Sequence, residues 1–267
     1  MLRFVSFGSG SSGNCYYLYT DTEGILIDSG IGIRTIKRYF SDYGLSFSNL
    51  KNILITHDHA DHVKSVGCIS SEFFIPVYAT SEVHKGIEHN YCVRRKIPAA
   101  NKRFVEKGET IQLGDFSVTP FSVPHDSSDN VGYEIVYGDV VFCLITDVGH
   151  ITSELEKRIS TANYLVLEAN HDEEMLMNGP YPQHLKERVS SENGHLSNKS
   201  CAEAIVHHAT PSLRHLWLCH LSEENNHPEL ARKTLEMTFH SYGLVAGRDF
   251  ALDVLKRKSP SEVFELK

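Results

Sequence analysis

Short apolar runs alternate with amphipathic stretches along the chain, and the period of each decides its element. Leu2 to Phe7, Cys15 to Tyr19, Gly24 to Asp28 and Asn52 to Thr56 read as strands. Ile33 to Tyr43 has helical spacing and stops at Gly44, a residue type that readily ends helices. Further on the pattern starts again, with strands at Thr110 to Leu113, Phe116 to Val123, Val131 to Tyr137 and Asp139 to Ile145. Helical segments follow at Thr152 to Ser160, Tyr181 to Ser191, Asn198 to His208 and Pro228 to Tyr242. Strands at Tyr164 to Glu168 and His215 to Leu218 lie between them. No Pro/Gly/Ser-rich linker, low-complexity tract or repeat interrupts the chain, so residues 1–267 are expected to form a single domain. Two αβ halves flanking a central sandwich, in the layer order α/β/β/α, fit this succession.

Bulk properties narrow the class. A chain of 267 residues with 41% hydrophobic and 22% charged residues is ordinary for a soluble globular protein. No stretch approaches the ~18 apolar residues of a membrane span, and Gly8-Ser9-Gly10 comes too early for a signal-peptide core. Cys15, Cys68, Cys92, Cys143, Cys201 and Cys219 show no paired spacing and read as reduced thiols, so the cytoplasm is the expected compartment. The net charge of −8 argues against a broad basic surface.

Chemistry concentrates in one hexapeptide. His57-Asp58-His59-Ala60-Asp61-His62 follows the apolar run Ile53-Leu54-Ile55. Imidazole nitrogens and carboxylate oxygens are what zinc or manganese accepts. A tight turn there can aim His57 and His59 at one ion and Asp61 and His62 at another. Apolar runs downstream end in three more candidates: His125 after Phe121 to Pro124, Asp147 after Val141 to Thr146, and His220 after Leu216 to Cys219. Singly, each could be a turn residue or cap. Together the seven residues suffice for two ions sharing a carboxylate. That shell uses five of the sixteen histidines.

The ordered set resembles the metallo-β-lactamase superfamily, in which a His-x-His-x-Asp-His motif is followed by a His, an Asp and a final His. The resemblance runs from Asp28, in Leu26-Ile27-Asp28-Ser29-Gly30, to His220. It implies a four-layer α/β/β/α sandwich of the metallo-β-lactamase type. It also implies His57, His59 and His125 on one divalent ion, Asp61, His62 and His220 on the other, and Asp147 bridging. Zinc or manganese is expected, with iron also compatible. Asp28 matches the superfamily's buried early Asp, which orients the hexapeptide loop from behind the ligands; read alone, it is a turn Asp.

Further segments resemble the superfamily's phosphodiesterases. Leu165-Val166-Leu167-Glu168-Ala169 and Gly194-His195-Leu196-Ser197-Asn198 match their Glu-Ala and His-Ser/Thr elements. There the Glu orients the His and the His protonates the leaving oxygen, roles that would pass to Glu168 and His195. An alkoxide leaves poorly unless protonated, so the chemistry needs such a donor. Asp61 joins these two as a catalytic candidate through its place in the hexapeptide. Gly8-Ser9-Gly10-Ser11-Ser12-Gly13-Asn14 exposes backbone N–H groups and hydroxyls, as phosphate-cradling loops do, but it lacks the Lys and helix of a P-loop. Val93 to Arg103 carries five cations and no acid, either a solvated face or a phosphate-contacting rim. Ser11, Ser12, Ser222, Arg94 and Arg95 are therefore candidate nucleic-acid contacts.

The Gly-Ser-Gly-Ser-Ser-Gly-Asn-Cys opening, the Gly-His-Leu-Ser-Asn element and the run His220 to Ala231 are similar to the YycJ/WalJ branch. That similarity implies a metal-dependent 5′→3′ exonuclease on double-stranded DNA with a role in DNA repair. Only 72 residues separate Asp147 from His220, too few for the large inserted domain of other nucleases in the superfamily. The expected partner is nucleic acid, DNA by resemblance, with neither a membrane nor an obligatory protein partner. The alternative is hydrolysis of a small ester or thioester, as in lactonases and glyoxalase II enzymes. A metal-binding module without activity is disfavoured because no ligand position holds an inert residue, and a β-lactamase fits least.

Overall fold

Apolar runs too short for helices become strands, and the longer amphipathic stretches become helices. The computed structural model describes residues 1–267. Its strands are β1 (Leu2–Gly8), β2 (Cys15–Tyr19), β3 (Gly24–Ile27), β4 (Leu50–Leu54), β5 (Val77–Ala79), β6 (Lys102–Phe104) and β7 (Ile111–Leu113). They continue as β8 (Phe116–Ser122), β9 (Val131–Tyr137), β10 (Val140–Ile145), β11 (Tyr164–Glu168), β12 (His215–Cys219), β13 (Ala251–Val254) and β14 (Phe264–Leu266). The helices are α1 (Ile33–Asp42), α2 (Ala60–Val63), α3 (Val66–Phe73), α4 (Ser81–His89) and α5 (Ser153–Thr161). After them come α6 (Glu173–Asn178), α7 (Gln183–Val189), α8 (Asn198–His208) and α9 (Pro228–Ser241).

The chain, expected as one domain, is organised as two compact units. One comprises Met1–Pro120, Ser127–Val131 and Lys256–Lys267; the other comprises Phe121–Asp126 and Gly132–Leu255. Each has its own apolar cluster.

In the first unit the strands run β14-β1-β2-β3-β4-β5-β6. Pairing is antiparallel from β14 to β3 and parallel from β3 to β6. Parallel neighbours need crossovers. Helix α1 supplies one between β3 and β4, α2 and α3 another, and α4 the last. On α1, Ile36, Tyr39 and Phe40 form the buried stripe, and Phe40 stacks on Phe47 with centroids 4.2 Å apart. Parallel strands present ligands beyond their carboxyl ends. Asp28 and the hexapeptide leave β3 and β4 at that edge.

The second unit repeats this logic. Strands β10, β11, β12 and β13 are parallel, and β9 pairs antiparallel with β10. The register sets Ile145 beside Leu167, and Glu168 beside Cys219. Asp147, Glu168 and His220 are thus delivered at one edge by three adjacent strands. Helix α8 matches its expected bounds, with Ser197 capping it by accepting the Ser200 N–H. Helix α7 starts later than expected because the ring of Pro182, its N-cap residue, disfavours the helical conformation for Tyr181 before it.

Candidate metal centre and general-acid pair

In the first unit, Asp28 is the hub of the hexapeptide. It is fully buried, and its carboxylate accepts from Thr56 N (2.9 Å), Thr56 Oγ1 (2.8 Å) and His62 Nδ1 (2.7 Å). With its proton given to Asp28, the Thr56 hydroxyl accepts from His57 Nδ1 at 3.0 Å. Burial lifts the Asp28 carboxyl above its ordinary range despite these donors. The His57 ring lies 4.6 Å from that of His59 and 4.1 Å from that of His62, centroid to centroid. Asp61 is anchored through its backbone, its carbonyl accepting the Asn14 N–H at 2.7 Å. A Cβ at Gly30 would lie 1.6 Å from that same carbonyl oxygen, so only glycine fits there.

In the second unit, donor atoms of Asp147, Glu168, His195 and His220 lie within 4.8 Å of one another. Glu168 is fully buried, and its Oε1 accepts from His195 Nδ1 (2.9 Å) and His220 Nδ1 (2.8 Å). Its Oε2 accepts the backbone N–H groups of Val148 and Leu196 at 2.9 and 3.1 Å. Burial pushes the Glu168 carboxyl up, but the His195 charge and the two imidazole hydrogen bonds outweigh it and hold the group well below the usual carboxylate range. For His195 the balance is mirrored: burial favours the neutral ring, and Glu168 overrides it and raises the pKa. His125 turns its Nδ1 to the Gly194 carbonyl at 3.1 Å.

These contacts test whether the residues suit metal. In His57, His62, His125 and His220, Nδ1 donates to a protein oxygen, so the lone pair lies on Nε2. That is how metal-ligating histidines are held. Asn14 Nδ2 approaches His62 Nε2 at 2.8 Å and has a further acceptor in Asp61 Oδ2 at 3.4 Å, so the amide could turn aside for an ion. Backbone strain marks the same residues. The non-glycine residues with positive φ are Asp28 (59°), Phe74 (56°), Asp147 (54°) and His220 (52°), and all but Phe74 are candidate site residues. Strain of this kind persists where the surroundings over-determine a residue, as they do at functional sites.

The expected nucleic-acid contacts fare unequally. Ser11 and Ser12 are exposed, as are Arg94 and Arg95. The other cations of the run have local partners: Lys96 donates to the carbonyls of Ile87 and Asn90, Lys102 to Glu88, and Arg103 to the carbonyls of Ala100 and Lys102. Ser222 is 7% exposed, and its Oγ accepts from Asn225 N, which shapes the loop after His220. Unforeseen from sequence are Asn14 and Asn226. The amide of Asn226 donates to the carbonyls of Ala169 and Asn170 and to Asn198 Oδ1, tying the segment after Glu168 to the helix behind His195. The only local signals were the Asn14 ending the glycine loop and the paired Asn225-Asn226.

The chain belongs to the metallo-β-lactamase superfamily: the model for the beta-lactamase superfamily domain matches residues 24–220. Within it the protein is YycJ/WalJ-like. It is 33% identical over 262 residues to exodeoxyribonuclease YycJ of Bacillus anthracis, with 98% of each chain covered. Exodeoxyribonuclease WalJ of Streptococcus pneumoniae serotype 2 is also 33% identical, over 93% of this chain and 92% of its own. Among solved structures, the metallo-beta-lactamase fold protein YhfI of Bacillus subtilis aligns with a TM-score of 0.71 at 15% identity, with 100% of both chains covered. Zinc-bound PqqB of Methylobacterium extorquens aligns at 0.72 and 16% identity, over 99% of this chain and 100% of its own. The expected fold class therefore holds. No helix is long and apolar enough to cross a membrane.

Proposed function

We propose that the protein is a metal-dependent exodeoxyribonuclease that hydrolyses DNA phosphodiesters from 5′ to 3′ on duplex ends, in DNA repair or maintenance. The observation that carries this reading is the Glu168–His195 pair, hydrogen-bonded at 2.9 Å and next to Asp147 and His220. A buried carboxylate that charges and aims an imidazole suits protonation of an alkoxide leaving group. Identity of 33% over nearly the full length to relatives named exodeoxyribonucleases supports the substrate class.

By the family's ligand order, His57, His59 and His125 would hold one divalent ion and Asp61, His62 and His220 the other, with Asp147 shared. Zinc and manganese fit these donors, and iron is compatible. Such ions supply water activation and charge neutralisation at phosphorus. The chain's own groups do the rest. Asp28 and Thr56 fix His57 and His62, Glu168 fixes His220 and His195, and His195 delivers a proton from Nε2 to the departing oxygen. Ser11, Ser12, Arg94 and Arg95 are exposed and suited to the strand's phosphates. Six unpaired cysteines fit a reducing, cytoplasmic setting.

The test is cleavage of 5′-labelled duplex and single-stranded DNA by the purified protein, with zinc, manganese or iron added back after chelation. A thioester and a lactone are assayed alongside. Metal-dependent release of nucleotides from the 5′ end of duplex DNA is expected. Turnover of the thioester or lactone with intact DNA would replace this reading with the acyl-hydrolase alternative.

A further inference from the structure

A cavity of about 220 Å³ in the second unit opens beside His195 and is not used by the chemistry above. Its apolar wall is Leu176 and Met177; its polar edge is His171, Glu173 and Ser200. His171 is 1% exposed, and its Nδ1 makes no hydrogen bond. A buried ring nitrogen without a partner is costly, and this one stands on a ring that lines the cavity. Glu173 is held in place by the Ser197 hydroxyl at 3.1 Å.

We infer that this cavity is a nucleobase subsite that takes the base of the departing terminal nucleotide. The inference rests on the exonuclease reading and extends it. Size comes first: the volume lies below the roughly 300–1,000 Å³ of sites for drug-sized ligands, so it suits one flat ring system. Charge decides between base and phosphate. The Glu173 carboxylate would repel an anion but accepts from the N–H donors of a base edge. One turn along the same helix, the Met177 thioether and the Leu176 side chain suit the face of an aromatic ring. Location then names the nucleotide. When the phosphorus–O3′ bond breaks, His195 gives its proton to O3′ of the nucleotide that leaves, so a site bordered by His195 lies on the departing side. A base seated there is unpaired, so the terminal pair opens before cleavage, as in enzymes that take a base out of the stack.

The test compares two 5′-phosphorylated duplexes that differ only in whether the terminal nucleotide carries its base. With the metal-loaded enzyme, removing that base should lower kcat/KM about tenfold, the worth of one modest set of base contacts. His171→Phe, which keeps a ring but not the nitrogen, and Met177→Ala, at a residue already 57% exposed, should bring the ratio close to one. Calorimetric titration with deoxyadenosine, which needs neither cleavage nor phosphate, should detect binding to the wild-type protein that both variants weaken. Equal rates on the two duplexes, or deoxyadenosine binding unchanged in both variants, would overturn the subsite. If no DNA is cut at all, the nuclease reading fails while the deoxyadenosine titration still decides the cavity.

Discussion

Oε1 of Glu168 accepts a hydrogen bond from Nδ1 of His220 at 2.8 Å, and the same oxygen receives His195 at 2.9 Å. One buried carboxylate thus holds both the proposed ligand His220 and the proposed proton donor His195. Glu168→Gln sets an amide N–H₂ among groups that already donate. It should therefore lose metal from the His220 site as well as activity, with stability lower by about 1–3 kcal/mol. Metal analysis and thermal unfolding of the purified variant check this. A Glu168→Gln protein with full metal content and wild-type stability would confine the residue to the His195 interaction.

His195→Ala separates proton donation from metal binding. It should retain its ions and slow DNA cleavage by roughly 10²–10⁴-fold, the usual worth of a positioned proton donor. A p-nitrophenyl phosphodiester needs little protonation and should be turned over nearly as well as by the wild type. An equal loss on that substrate would mean that His195 binds or positions something instead. Adding Glu168→Gln to His195→Ala should cost little more in rate than Glu168→Gln alone, because the pair acts as a unit.

How much of this was legible beforehand follows from where each signal resides. The hexapeptide and the strand-end His125, Asp147 and His220 stand out because clustered titratable groups have few packing roles. Helix α8 was bounded correctly because its cap and periodicity are both local. Between Ala60 and Phe104 the shortest elements were not legible, and α4 was missed although its Thr80 cap and its buried face at Val83, His84 and Ile87 are local. Helix α2 has 4 residues and β5 and β6 have 3 each, too few for a period to show, and the two strands are stabilised by parallel pairing from a distance. The second role of Glu168 was equally hidden, since His220 lies 52 positions away. Asn14 reaches Asp61 across 47 positions for the same reason. The burial of Ser222 and its bond from Asn225 N were likewise not visible from its place after His220.

Asp28 touches one candidate ligand directly, His62, and reaches His57 through Thr56. Asp28→Asn tolerates the positive φ, since Asn visits that region more readily than most residues. Its amide nevertheless cannot accept from Thr56 N, Thr56 Oγ1 and His62 Nδ1 together. Metal affinity should fall about 10–100-fold, the usual effect of removing a partner behind a ligand, with the fold retained. Chelator competition gives the affinity, and circular dichroism gives the fold. Wild-type affinity in Asp28→Asn would remove Asp28 from the support of the metal centre.

The proposed sharing of Asp147 between two ions makes its own demand on stoichiometry. If Asp147 contacts both ions, Asp147→Ala should lose both, whereas His125→Ala should weaken mainly one. Elemental analysis after dialysis reads this directly. Two ions retained in Asp147→Ala would exclude the bridging assignment.

Salt dependence tests the basic run. Arg94 and Arg95 are exposed, while Lys96, Lys102 and Arg103 donate to the groups around them. Only the first two are thus suited to reach a DNA strand without first breaking a bond within the protein. On a molecule of net charge −8, a local pair of cations must overcome a repulsive background. Each phosphate contact to duplex DNA steepens the fall of log affinity with log salt by about 0.9. Replacing Arg94 and Arg95 together by Ala should therefore flatten the slope by roughly one to two units and leave metal content intact. Binding measured at several salt concentrations, with cleavage prevented by the His195→Ala background, gives the slope without loss of substrate. A slope equal to that of His195→Ala alone would make the two arginines a solvated face and move the phosphate contacts elsewhere, with the exposed Ser11 and Ser12 next to be tested.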